Sequence, residues 1–125
     1  MCGACQLGKQ TRESFKSKNI VSTTRILQLL HMDLLGPTRT ISLGGKKYAL
    51  VIVDDFSRYT WVLFLASKDE TFKIFKKFYK RLINQKGQSV ISIRSDHGTK
   101  FENQFFDHFC TKYGTYHNFF APRIP

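Results

Sequence analysis

Two short apolar runs in this chain each lead to an aspartate with a glycine-containing breaker behind it. They are Leu29-Leu30-His31-Met32-Asp33-Leu34-Leu35-Gly36-Pro37 and Val90-Ile91-Ser92-Ile93-Arg94-Ser95-Asp96-His97-Gly98. Apolar and β-branched residues bounded by Gly and Pro read as strands. An aspartate at the carboxyl end of a buried strand stands at the edge of an open α/β sheet, where ligands bind. One such carboxylate proves little, but two at strand ends can share a divalent cation. Asp33 and Asp96 are therefore the first candidate site residues.

The segments around these runs fill out a mixed α/β order. Leu27–Leu34 reads as the first strand. Tyr48–Val53 is continuously apolar, which predicts a strand covered on both faces. Asp54-Asp55-Phe56-Ser57-Arg58 supplies turn chemistry, and Tyr59–Leu65 makes the return strand of a hairpin. Asp54 and Asp55 either cap that turn or stand beside a metal. Ser67-Lys68-Asp69-Glu70 fits a capping box, after which Phe72, Phe75, Phe78, Tyr79, Leu82 and Ile83 recur at helical spacing until Gly87. This aromatic stripe is core. The opposite face, with Lys73, Lys76, Lys77 and Lys80, is either a solvated helix surface or one that tracks phosphates. After a Val90–Asp96 strand, Asn103 caps a second helix that buries Phe105, Phe106, Phe109, Cys110 and Tyr113 and stops at Gly114. Cys110 is then an inert core thiol and His108 an exposed residue. Thr115–Phe120 reads as a last strand. His97 is either a solvent-facing turn residue or a contact to substrate or metal.

Composition limits what such a domain can do. At 125 residues it is at most one ordinary domain, and 42% hydrophobic residues with 12 Phe give it a packed interior. Twenty Lys and Arg against nine Asp and Glu leave a charge of +11. That points to a polyanion, first of all nucleic acid, although a basic domain without such a partner has the same balance. No run approaches the roughly 18 apolar residues of a membrane span, and the amino terminus has no apolar signal segment. Three cysteines do not make a secreted disulfide framework, so the chain is expected to be intracellular. Residues 1–25 form a basic polar lead-in, with Lys9, Arg12, Lys16, Lys18 and Arg25 against Glu13. Within it, Cys2 and Cys5 have the spacing of two Zn²⁺ ligands. The other two ligands would come from His31, His97, His108, His117 or Cys110, none at finger-like spacing, or from residues before Met1.

The runs Cys2-Gly3-Ala4-Cys5-Gln6-Leu7-Gly8-Lys9-Gln10, His31-Met32-Asp33-Leu34-Leu35-Gly36-Pro37, Val53-Asp54-Asp55-Phe56-Ser57-Arg58-Tyr59, Arg94-Ser95-Asp96-His97-Gly98-Thr99 and Ala121-Pro122 occur in that order. Together they closely resemble the integrase of plant copia-type retrotransposons, over nearly the whole chain. The resemblance implies an RNase H-like α/β fold with a mixed five-stranded sheet flanked by helices, missing its C-terminal helix. It also divides the chain into residues 1–25, the end of a zinc-binding pre-integrase module with a basic linker, and residues 26–125, a truncated catalytic core.

The implied reaction is DNA integration, by Mg²⁺- or Mn²⁺-dependent 3′-end processing and strand transfer of element DNA into host DNA. By resemblance Asp33 and Asp96 bind the catalytic metal together with a Glu expected near position 132, past the last residue, so that the chain by itself is expected to be inactive. Cys2 and Cys5 match half of a His-His-Cys-Cys zinc site, complete only in the full-length parent. Lys73, Lys76, Lys77, Lys80, Arg94 and Lys100 are the candidate DNA contacts. Lys100 stands where the family usually has an acidic residue, which suggests a decayed copy. Element ends and target DNA, a homo-oligomer, and the nucleus are the partners and place expected of the parent. Two other readings are open on the sequence, a basic nucleic-acid-binding module without turnover and a relic that does not fold stably.

Overall fold

The computed structural model describes residues 23–37 and 44–120. Cys2, Cys5, most of the basic lead-in and Ala121-Pro122 lie outside the described residues. Five strands and two helices follow one another as β1 (Leu29–Leu35), β2 (Tyr48–Asp54), β3 (Thr60–Leu65), α1 (Thr71–Lys86), β4 (Ser92–Ser95), α2 (Gln104–Tyr113) and β5 (Tyr116–Phe119). A single 3₁₀ turn, Lys68–Glu70, leads into α1. The strands form one sheet in the order β3-β2-β1-β4-β5. β1, β2 and β3 pair antiparallel, whereas β4 pairs parallel to β1 and β5 parallel to β4. The sheet is therefore mixed, and the two helices make the crossovers that parallel neighbours require.

Both helices pack on the same face of the sheet. Phe75, Phe78, Tyr79 and Leu82 of α1 join Phe106 and Phe109 of α2 in one cluster with Leu30, Met32, Leu50, Ile52 and Ile93. Phe72 lies 5.1 Å from Phe106 and 5.7 Å from Phe109, both edge-on, and Tyr79 meets Phe109 at 5.0 Å. Each such ring buried is worth about 1.5–3 kcal/mol, and each well-placed aromatic pair about 0.5–1.5 kcal/mol more. The aromatic stripes are thus what hold the helix layer to the sheet, as their periodicity predicted. Asn103 caps α2 by accepting the N–H groups of Phe105 and Phe106, while Gly87 and Gly114 end the helices with left-handed φ of 66° and 70°. Cys110 is buried in this layer, and burial pushes its thiol up to about 11.

Several expectations change. Phe105, expected on the buried stripe of α2, is 60% exposed: at the first turn of the helix it only flanks Phe72, at 5.9 Å, while Phe106, Phe109 and Cys110 are the residues buried. The first strand begins at Leu29 rather than Leu27, because Leu27 adopts φ 65°, a left-handed conformation that cannot continue a strand. Its side chain is nevertheless fully buried, which offsets the strain. The fourth strand is short, so Asp96 stands just past its carboxyl end. Finally, β2 is not covered on both faces among the described residues. Leu50 and Ile52 are buried under the helices and Asp54 in the turn that follows, while Ala49, Val51 and Val53 are only partly shielded. Neighbouring strands on both sides supply that partial cover, and the sheet's other face also exposes Leu35, Val62, Phe64 and Tyr116.

His117 of β5 lies between Phe106, at 5.8 Å, and Phe119, at 4.2 Å, and shares a 2.8 Å hydrogen bond with Ser95 Oγ. Burial, only partly opposed by the charges of Glu102 and Asp107, lowers its pKa to about 4. A histidine in the unfolded chain titrates near 6.5. Between these values the unfolded state takes up a proton that the folded state refuses, so stability falls as pH drops through the window. Thermal melts between about pH 7 and 4.5 should show a loss on the order of 2 kcal/mol that His117→Gln largely removes. An equally steep loss in that variant would place the sensitivity elsewhere.

Candidate functional site

Asp33 sits on β1 and alternates with the buried Leu30 and Met32, so it is exposed on the face of the sheet that the helices leave open, alongside His31. The parallel register pairs Leu29 with Ser92, Leu30 with Ile93 and His31 with Arg94. Continued by two positions, that register sets Asp33 level with Asp96. Contrary to the sequence reading, Asp33 is not at the end of its strand, because Leu34 and Leu35 continue the pairing with β2. The register nevertheless brings it level with Asp96, just past β4, with Arg94 exposed on the open face next to His31.

Asp54 and Asp55 are elsewhere. The Asp55 N–H donates to the Leu29 carbonyl at the start of β1, roughly 13 Å along the strand from Asp33. Both are turn and anchor residues. The Asp54 carboxylate is 1% exposed and accepts three hydrogen bonds, from the Leu27 N–H at 2.7 Å, the Ser57 N–H at 2.8 Å and the Ser57 hydroxyl at 2.7 Å. Asp55 accepts from the Thr23 hydroxyl at 3.0 Å, lies 2.9 Å from His31 Nε2 and is approached by Arg58 at 3.7 Å. Burial alone would raise the Asp55 pKa; the bonds to His31 and Thr23 and the nearby charges of His31 and Arg58 outweigh it and hold the carboxyl below its ordinary value. Of the two readings of this pair, the geometry carries the capping one.

Asp96 has company of a different kind. Its Oδ1 accepts the Gly98 N–H at 2.7 Å, an Asx-type turn, and the Lys100 ammonium lies 3.4 Å from Oδ1 and 3.3 Å from Oδ2. The Lys100 side chain is 24% exposed and the Asp96 side chain 32%. Lys100 also stands 5.3 Å from the centre of the buried Phe101 ring. The neighbouring His97 is exposed; its Nδ1 lies 2.9 Å from Glu102 Oε1 and its ring stacks on Phe119 at 4.8 Å. His97 is therefore held between Glu102 of its own turn and Phe119 of β5. The Gly98 and Phe101 contributions were missed in the sequence, although the Asp-x-Gly spacing and the four-residue step from Asp96 to Lys100 are both legible there.

A hard dication such as Mg²⁺ takes six oxygens. Among the described residues no three His, Cys, Asp or Glu converge on a point, and both oxygens of Asp96 face the Lys100 ammonium. As disposed, these residues do not fit a resident divalent ion. The candidate DNA lysines also stand apart from the aspartates. Lys73, Lys76, Lys77 and Lys80 are exposed on α1 opposite its buried stripe, and so face away from the sheet.

Comparison with known proteins places this arrangement. The integrase core domain family matches residues 23–125, and the chain belongs to that family. Over 124 residues it is 35% identical to the retrovirus-related Pol polyprotein from transposon TNT 1-94 of Nicotiana tabacum, in an alignment covering 99% of this chain and 9% of the polyprotein. Its identity to the Pol polyprotein from transposon RE1 of Arabidopsis thaliana is 28% over 100 residues, 80% of this chain and 7% of that one. The chain thus spans less than a tenth of these curated relatives. Among solved structures it resembles the HTLV-2 integrase catalytic core domain in complex with magnesium, with TM-score 0.57 and 25% identity over 74% of this chain and 59% of that one. The BIV integrase catalytic core, at TM-score 0.57 and 19% identity over 78% of this chain and 57% of its own, shares the fold. That fold is RNase H-like, as the motifs implied.

The Asp54 cluster yields a stability prediction. Asp54→Ala would strand the buried Leu27 N–H and release the Ser57 turn, at a cost of about 2–4 kcal/mol. Asp54→Asn, which keeps one acceptor, should lose less. Urea denaturation followed by circular dichroism reads both, and an alanine variant as stable as the parent would remove Asp54 from this role.

Proposed function

We propose that this chain is the DNA-handling core of a retrotransposon integrase, which in the parent polyprotein carries out 3′-end processing and strand transfer of element DNA. The observation that carries the reading is the β1–β4 register, which sets Asp33 and Asp96 at one sheet edge in a chain of the integrase core family. In the parent, those two carboxylates belong to a Mg²⁺-dependent centre, Cys2 and Cys5 to a Zn²⁺ site, and the assembly to a nuclear homo-oligomer. Because one of those two aspartates is ion-paired with Lys100, the reading for this chain by itself is DNA binding without turnover.

The basic surface supplies the affinity. Each phosphate neutralised by a Lys or Arg releases counterions, and the binding constant falls with salt in proportion to the number of phosphates so neutralised. Fluorescence anisotropy with a labelled DNA duplex, at about 50 to 200 mM salt, should show binding that weakens steeply across the series. Changing Lys73, Lys76, Lys77 and Lys80 together to Gln should lower both the affinity and the slope, the slope by up to about 0.9 for each phosphate left without its lysine. Binding that is absent at low salt would sink the proposal. A quadruple variant with an unchanged slope would remove the α1 face from it, and cleavage of the duplex in Mg²⁺ would contradict the absence of turnover.

A further inference from the structure

The pairing of Lys100 with Asp96 is a built contact rather than a chance encounter of surface charges. The ammonium faces both carboxylate oxygens, the lysine lies beside the Phe101 ring, and Gly98 leaves room for the pair. A Cβ on Gly98 would fall 2.5 Å from Lys100 Nζ and 3.0 Å from Asp96 Oδ1, so a side chain there would push the lysine end from its present place. With both side chains mostly shielded, the pair is screened less than an exposed one.

We infer that Lys100 is a tethered counter-cation that holds the Asp96 carboxylate and keeps divalent metal ions off it. The inference rests on the proposal that the Asp33 and Asp96 edge is the metal edge of the parent enzyme. A dication binding Asp96 must take lone pairs that now face the ammonium. It would also bring two positive charges against a third within a few ångströms, a repulsion that low dielectric strengthens. The metal can bind only when Lys100 leaves, and leaving costs the lysine its ion pair and its place beside Phe101. Lys100 thus disables the site by occupying it, without disturbing the fold or the register that builds it.

The test is Mn²⁺ binding to the 125-residue chain at low ionic strength, read from the electron paramagnetic resonance signal of the free ion. Circular dichroism melts confirm that each variant is folded. Lys100→Met keeps an unbranched apolar stem against Phe101 and removes the charge. It should bind Mn²⁺ about tenfold more tightly than the parent, equivalent to about 1.4 kcal/mol. Adding Asp96→Asn to it should abolish the gain. Lys86→Met makes the same change in net charge at the end of α1 and should leave Mn²⁺ affinity at the parent level. A gain in Lys86→Met equal to that in Lys100→Met would reduce the effect to overall charge and overturn the inference. A parent chain that already binds as tightly as Lys100→Met, through Asp96, would overturn the role of Lys100 while leaving the metal edge intact. Failure of every variant to bind Mn²⁺ would overturn both.

Discussion

The parallel pairing of β1 with β4 is the constraint on which the remaining geometry depends. Residues in a strand alternate between faces, so a slip of one position would carry Ile93 out of the core and put Arg94 into it. The burial of Ile93 and Ser95 against exposed Arg94 therefore locks the register, and the register sets Asp33 level with Asp96. Parallel neighbours cannot be joined by a tight turn, so that pairing in turn needs α1 to cross the sheet. The crossover holds because the aromatic residues of α1 and α2 interlock over one face. A feature as local as a stripe of phenylalanines is what fixes the relative position of two carboxylates 63 residues apart in the sequence.

Three aspartates in this chain show how environment decides what a carboxylate can do. Asp54 gives its lone pairs to Leu27 and Ser57 and so ties the approach to β1 onto the β2–β3 turn. Asp55 spends its own on Thr23 and His31, clamping the same junction from the other side. Asp96 sits at the edge where ligands of open sheets bind, yet its oxygens are shared between Gly98 and Lys100. Residue type and strand-end position were the same kind of signal in all three cases. Only the bonding partners separate structural carboxylates from one that a metal could claim.

Much of this geometry is legible in the sequence, and the reasons differ by element. The helices follow from a 3.6-residue apolar period; α2 runs between its expected caps Asn103 and Gly114 and α1 stops at Gly87, but the Ser67 cap opens a 3₁₀ turn, so that α1 itself begins only at Thr71. Strand ends are less secure, because a backbone conformation such as the positive φ of Leu27 leaves no mark on residue type. The continuous apolar run of β2 reads as two-sided burial, yet hydrophobicity does not say whether a second layer or adjacent strands provide the cover. At the site, the aspartates and their glycines are visible, whereas the direction of the Lys100 side chain is set by the turn from Asp96 to Asn103 and had to be seen.

The distribution of positive charge has its own consequence for how such a core meets DNA. The lysines of α1 are separated from Asp33 by the helix itself and by the sheet, and a helix with its side chains is about 10 Å thick. That already exceeds the Debye length of about 8 Å at physiological ionic strength. Their field at the aspartate edge is therefore largely screened. Arg94 shares the open face with His31 and Asp33, one strand away. The cations nearest the aspartates are thus Lys100, paired with Asp96, and Arg94 on the open face, while on the proposed function the four lysines would add affinity only at a distance. An excess of charge over a whole domain raises the rate of encounter with a polyanion, but only a cation on the same face as the carboxylates can hold a phosphodiester against them.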